Sequence, residues 1–199
     1  MVGTPRLSRS SLLYTTLHTP QQLWDEGRAR GLPESGWLLV VDVPAQRLEA
    51  WHERRRVASY PVSTSRVGTG AVRGSCRTPT GWHELADRVG ADAQPGQVFE
   101  SRLPIEEILD ESAWTSTGDE DRILSRILRL RGLEAGVNHG GDVDTYDRFI
   151  YIHGTNQEHL LGTPASHGCI RMGNLDVIEL FDQLNGHPAW CWIGDLTPP

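Results

Sequence analysis

Lysine is absent from this chain. All 19 basic residues are Arg, set against 26 Asp and Glu, and the net charge is -7. An acidic balance argues against nucleic acid as the main partner. The one dense basic run, Arg54-Arg55-Arg56, is short and reads as a solvated hairpin tip. Long apolar runs are missing as well. Spanning a bilayer takes about 20 continuous apolar residues, and the longest run here, GWLLVVDV from Gly36 to Val43, is strand-sized. The first residues hold no apolar stretch longer than Leu12-Leu13-Tyr14, so no secretory leader is read there. The expectation is a cytoplasmic protein, or a periplasmic one if a leader has been removed. Cysteine is scarce: the 3 Cys are odd in number and form no CxxC, which argues against a disulfide framework.

What is present suffices for one folded domain. The chain has 199 residues, 38% of them apolar, and 7 Trp. Residues 1–18 have no clear period and read as an arm or a short edge strand. Thr19-Pro20-Gln21-Gln22 predicts a helix start, with Thr19 as N-cap, Pro20 at N1 and Gln22 closing a capping box. That helix ends near Gly31 and Pro33. Three short strands follow, at 37–43, 48–53 and 56–63, with a turn at Pro44-Ala45-Gln46 between the first two. Residues 64–81 are rich in Gly, Ser and Thr and predict a loop, and strand resumes at Trp82–Leu85. Residues 86–97 read as polar loop, VFESRLP as a strand, and IEEILDESAW as a helical turn or two. The pattern at 123–133 suits helix or strand, and strand is favoured because a Gly-rich loop follows. Arg148–His153 predicts a strand delivering His153 at its end. Asn174 predicts a helix N-cap before Leu175–Leu184, and residues 189–194 a last strand.

Chemistry concentrates between Tyr151 and Met172, YIHGTNQEHLLGTPASHGCIRM. Cys169 stands among groups able to make it a nucleophile, because a thiol attacks as its thiolate and an imidazole supplies that. Two bases are candidates. His167 is two residues from Cys169, on the same face of an extended segment. His153 ends one strand and can lie beside Cys169 after the intervening loop. A base needs an acceptor on its other nitrogen, and the Gly154 carbonyl can serve. Gly168 beside the nucleophile permits close approach and an oxyanion hole from backbone N–H groups around Gly168 and Cys169. Arg171, on the face of Cys169, can hold a carboxylate with two parallel hydrogen bonds, or pair with Asp176 or Glu179. Cys76 and Cys191 read as structural.

The HGT of His153-Gly154-Thr155, followed by SHGCIRM, resembles the signature of the YkuD-type L,D-transpeptidases, cysteine enzymes of peptidoglycan stem peptides. VDVPAQRLEAW, YPVSTS, TPTG and the IHGT strand follow in the family's order, over roughly residues 36–193. The resemblance implies a mainly β catalytic domain, sandwich- or barrel-like, with a few peripheral helices. The arm and helix over 1–35 lie outside the resemblance, which implies the catalytic domain over 36–199 with an insertion at about 83–135. It makes Cys169 the nucleophile and His153 the base, oriented by the Gly154 carbonyl. His167 would line the site, Ser166 and Gly168 would support the oxyanion, and Arg171 and Thr155 would bind substrate. The implied partner is a stem tetrapeptide or muropeptide, attacked at the diaminopimelate L-centre with loss of D-alanine. Water would then make the enzyme an L,D-carboxypeptidase of murein recycling, and a second stem's amine would make it a 3-3 cross-linking transpeptidase. No cofactor is implied, and the sequence sets no oligomeric state.

A metal site is the competing reading. His139, His153, His159, His167 and Cys169 offer ligand types suited to zinc. No Glu stands in a zinc-hydrolase signature beside them, so this reading stays secondary. Trp82 and Trp114, near polar loops, are candidates to line a peptide groove.

Overall fold

In the computed structural model, which describes residues 18–115, 117, 118 and 120–196, the apolar run after Gly36 becomes a strand covered on both faces. The arm expected over residues 1–17 lies outside the described residues. The strand is β1, Trp37–Asp42. Leu39 and Val41 face the main core, while Leu38 and Val40 face a second cluster with Trp51, Trp82 and Trp192. Burial on both faces is why β1 reads as a continuous apolar run and not as an alternation.

The remaining strands are β2 (Arg47–His52), β3 (Arg55–Ser63), β4 (Gly81–Val89), β5 (Gln97–Glu100), β6 (Leu103–Ile108), β7 (Ile123–Gly132), β8 (Tyr151–Thr155), β9 (Ile170–Met172) and β10 (Ala189–Gly194). They hydrogen-bond in the order β4-β10-β1-β2-β3-β9-β8-β7, and β7 pairs back onto β4. The sheet therefore closes on itself as a ring, which removes its open edges. The β5–β6 hairpin attaches where β7 begins, through Val98↔Leu124 and Phe99↔Ile123. Among the described strands, β1–β10 and β8–β9 are the parallel pairs and the rest are antiparallel. The fold is mainly β and barrel-like, as expected.

Helix α1, Pro20–Ala29, starts on the anticipated capping box, with the Gln22 N–H donating to Thr19 Oγ1 at 3.3 Å. It lays Leu23 and Trp24 on the outer cluster. Helix α2, Asn174–Gln183, places Val177, Leu180 and Phe181 on the main core. Its N-cap is Gly173, not Asn174. The Asn174 side chain is wholly buried and turned inward, where it serves the site described below.

Several expected boundaries shift for identifiable reasons. β4 runs to Val89 through residues expected as loop, because its half-exposed polar end is paired along β7. Residues 103–108 form β6, and only Glu111–Ala113 makes a helical turn, a 3-10 one. β8 starts at Tyr151 and not at Arg148, because Phe149 adopts φ 56°. His153 consequently sits in mid-strand. Trp82 (2% exposed) and Trp114 (5% exposed) both fill core positions, and Trp114 also lines a cleft with Glu111, Glu158 and Asp176. Arg54 does sit at a hairpin turn, paired with Asp25.

His83 on β4 is wholly buried, and its Nδ1–H donates to the Gly81 carbonyl at 3.0 Å. Burial pushes its pKa down from 6.5 to about 4. In the unfolded chain the imidazole protonates at about 6.5, so acid favours unfolding. The stabilising effect of a neutral His83 is complete above 6.5 and is lost as pH falls through 4. Over that window we expect about 3 kcal/mol of stability to disappear. Denaturant titrations at pH 7, 5.5 and 4 check this, and a His83→Gln variant should show a distinctly shallower fall.

Candidate active site

The site is built on the parallel pairing of β8 and β9. Register sets Ile152 beside Ile170 and His153 beside Arg171. Alternation then divides the side chains. Ile152, Ile170 and Met172 enter the main core, while Tyr151 and Cys169 join a separate small cluster with Phe99 and Ile127. His153 shares the face of Tyr151, and Arg171 that of Cys169.

Cys169 is partly exposed. Its Sγ accepts from the Tyr151 N–H at 3.4 Å and donates to the Phe149 carbonyl at 3.5 Å. Phe149 can present that carbonyl because its backbone is left-handed, a costly conformation for a bulky residue and one that concentrates at functional sites. Desolvation pushes the thiol up to about 11, and the Tyr151 N–H, Arg171 and Arg148 oppose this only in part. The resting nucleophile is a neutral thiol.

His153 is 2% exposed, and its Nδ1 lies 2.7 Å from the Gly154 carbonyl. A carbonyl can only accept, so the proton belongs on Nδ1 and Nε2 is left basic. Burial lowers the imidazole pKa, and Arg171 adds to that, while nearby Asp121 and the Gly154 bond oppose it. Gly154 needs no unusual φ. It needs the absence of a side chain, because a Cβ there would meet Asn174 Oδ1 and come 2.7 Å from the Leu124 carbonyl. Asn174 is held by Ser125 Oγ, which donates to Oδ1 at 2.7 Å, and its own Nδ2 donates to the Thr155 carbonyl at 2.8 Å. Ser125 lies at the irregularity in β7 opposite His153 and Gly154, with φ 66°. A bulge on one strand and an inward Asn on α2 thus clamp the peptide that orients the base.

The loop before β9 is held from outside. Thr78 Oγ1 donates to the Gly168 carbonyl at 2.9 Å, and the Ala165 and Ser166 N–H groups both donate to the Thr64 carbonyl at 2.9 Å. The Gly-rich stretch 64–80 therefore frames the nucleophile. Gly168 has φ 132°, and Ser166 Oγ donates to the Cys169 carbonyl at 2.6 Å. The same Oγ accepts the Gly168 N–H at 3.1 Å. That N–H is thus already engaged and not free for an oxyanion, contrary to expectation.

Two substrate-binding assignments change. Arg171 is 1% exposed, and its guanidinium donates to Gln157 Oε1 at 2.9 Å and to Asp121 Oδ2 at 2.5 Å. It pairs with Asp121 and not with Asp176 or Glu179, and offers no open fork to a substrate. Thr155 is wholly buried, with its Oγ1 accepting the Gln157 N–H. Both residues support the site from behind. His167 is exposed, with Nδ1 3.8 Å from Asp121 Oδ2. Among the described residues no group of three or more His, Cys, Asp or Glu is arranged to hold a metal. His139 instead pairs with Asp144 at 3.3 Å, and His159 is exposed.

Asp121, Asn174, Ser125, Thr78 and Phe149 belong to this neighbourhood and carry no local sequence signal for it. Ser125 is brought in by β7–β8 pairing, Thr78 and Asp121 by side-chain bonds to Gly168 and Arg171, while Asn174 and Phe149 flank the site segment itself.

The family model for the YkuD L,D-transpeptidase catalytic domain matches residues 36–193, well over half of the chain. A segment of 46 residues is 48% identical to YqjB of Bacillus subtilis (strain 168), provisionally named an L,D-transpeptidase; it covers 23% of this chain and 26% of that protein. Solved structures similar to the chain include an L,D-transpeptidase from Mycobacterium smegmatis, 18% identical over 79% of this chain and 58% of that one, with TM-score 0.44. Another is L,D-transpeptidase 3 from Mycobacterium tuberculosis carrying a faropenem-derived adduct, 14% identical over 80% of this chain and 60% of that one, with TM-score 0.46. The chain thus spans less than two thirds of the length of each of these relatives. By the family match over residues 36–193, the chain belongs to the YkuD L,D-transpeptidase catalytic domain family of cysteine-dependent enzymes.

Proposed function

We propose that the chain cleaves peptidoglycan stem tetrapeptides at the bond between the diaminopimelate L-centre and D-alanine, through a thioester on Cys169. The observation that carries this is the His153–Gly154 bond of 2.7 Å, which leaves Nε2 as a base on the face that Cys169 shares. In the reaction His153 Nε2 takes the thiol proton as Sγ attacks the carbonyl carbon. It then returns that proton to the departing D-alanine nitrogen. Because the Gly168 N–H is held by Ser166, the developing oxyanion is assigned to the Cys169 N–H, with exposed His167 beside it. His153 next draws a proton from water as the water oxygen attacks the thioester carbon; the C–S bond breaks, the tripeptide acid leaves, and His153 returns that proton to Sγ. Hydrolysis asks for nothing beyond this site, so L,D-carboxypeptidase activity in muropeptide recycling is the proposal. Transfer to a second stem would need an acceptor groove in addition. The compartment proposed is the one where soluble muropeptides are met, the cytoplasm.

Incubation with a tetrapeptide, followed by mass spectrometry, separates the outcomes. We expect tripeptide and free D-alanine, and a joined peptide dimer would overturn the choice of water. Cys169→Ala should lower the rate by at least about 1,000-fold, because nucleophile and base act as one unit.

The pH profile tests the neutral pair. His153 works unprotonated, and its pKa is held below 6.5. Hence kcat/KM should stay level from pH 8 to below 6.5 and fall only in stronger acid. A second rise toward pH 11 should mark direct ionisation of Cys169. An acid limb centred at or above 6.5 would refute this account of the base.

A further inference from the structure

A cleft of about 280 Å³ opens beside Cys169, lined by Arg73, Arg148, Phe149, Ile150, His167, Cys76, Gly74 and Asp147. Cys169 itself does not line the cleft, but Phe149, whose carbonyl accepts the thiol proton, and His167, two residues before Cys169, both do. Its charge is unlike that of the chain as a whole. Two Arg face one Asp here, in a protein of net charge -7. Arg148 is fixed: its Nη2 donates to the Arg77 carbonyl at 2.6 Å and its Nη1 to the Gly70 carbonyl at 3.3 Å. Neither partner neutralises its charge. Among the described residues the Arg73 side chain reaches only Asp147, 3.7 Å from its Oδ2 and with Nη1 donating to its carbonyl at 3.4 Å, and half of the Arg73 side chain is exposed to a ligand. Arg171, expected to hold a carboxylate, is committed to Asp121, which leaves this cleft as the cationic surface next to the thiol.

Direction along β8 tells which part of a substrate lies there. Sγ contacts the Phe149 carbonyl and the Tyr151 N–H, and His153 is two residues further on. The leaving nitrogen must lie within reach of His153 Nε2 to collect its proton. The acyl portion then extends the other way, past Phe149 and over the cleft. We propose that Arg73 and Arg148 form an acyl-side subsite for a free carboxylate of the donor peptide, lying upstream of the scissile bond and distinct from the carboxylate of the departing D-alanine. The inference rests on the acyl-enzyme reading above. A charge-assisted pair with a guanidinium in a partly enclosed cleft fits that ligand class.

Matched tetrapeptides test it: one with all carboxylates free, one with each upstream carboxylate amidated in turn, and one with only the terminal D-alanine carboxylate amidated. In the unmodified protein, amidating one upstream carboxylate should lower kcat/KM by about tenfold, mostly through KM. In Arg73→Ala that same modification should cost less than about twofold, and Arg73→Glu should reverse the preference. Arg73 is exposed, so these variants leave the fold intact, which a thermal melt verifies. An upstream penalty equal in Arg73→Ala and the unmodified protein would overturn the subsite. A penalty confined to the terminal carboxylate would overturn its acyl-side placement. Failure of the unmodified protein to process any of the peptides would instead remove the acyl-enzyme reading itself.

Discussion

Everything at the centre of this protein depends on β8 lying parallel to β9 with His153 opposite Arg171. Period-2 alternation allows no compromise: a slip of one residue would send His153 into the core and Ile152 to the outside. The register is over-determined from the inner face, where Ile152, Ile170 and Met172 are wholly buried. Burial of such side chains is worth roughly 1.5–3 kcal/mol each, against about 0.5–1.5 kcal/mol for a typical neutral hydrogen bond. Packing therefore chooses the register, and the thiol and imidazole take the positions it imposes. A three-residue β9 cannot enforce this alone. Thr64 and Thr78 hold the chain just before it, which gives the Gly-rich stretch 64–80 its structural role.

The electrostatics follow from the same burial. Two Arg lie near Cys169, yet desolvation outweighs them and the thiol stays protonated. His153 is likewise kept neutral. This differs from a preformed thiolate–imidazolium pair: the proton must move during attack and not before it. A neutral thiol also donates a hydrogen bond, which is what the Phe149 carbonyl accepts. The left-handed backbone at Phe149 thus acquires a function, since it turns the carbonyl that holds the resting sulfur.

Features written in local chemistry were legible in the sequence. The Thr19 capping box, the β1 run and the HGT and SHGC segments all declare themselves within a few residues. The barrel-like closure was legible only through family resemblance, because the β4–β7 seam joins segments some forty residues apart. The polar end of β4 reads as loop since its partner strand is invisible to any short window. Arg171 was misjudged for the same reason. Its position beside Cys169 is plain from spacing, but its partner Asp121 lies fifty residues upstream in the run GDEDR, where nothing local points to Arg171. Asn174 was assigned the role its residue type commonly has at a helix start, and tertiary packing gave it another.

The buried ion pair explains why a site that uses neutral groups nevertheless contains a fully buried Arg. Removing one partner of such a pair leaves an uncompensated charge, at a cost of about 3–5 kcal/mol, although the intact pair adds little net stability. Arg171 and Asp121 are therefore best understood through position and not through energy. Arg171 ties β9 to Gln157 beyond β8, and Asp121 ties both to the segment that leads into β7. Three segments distant in sequence are thereby fixed around His153. At His153 desolvation is the largest influence; Asp121 favours the imidazolium more than Arg171 disfavours it, yet the pKa still falls. The pair thus holds the base in place without charging it, which is what general-base catalysis by a neutral imidazole requires.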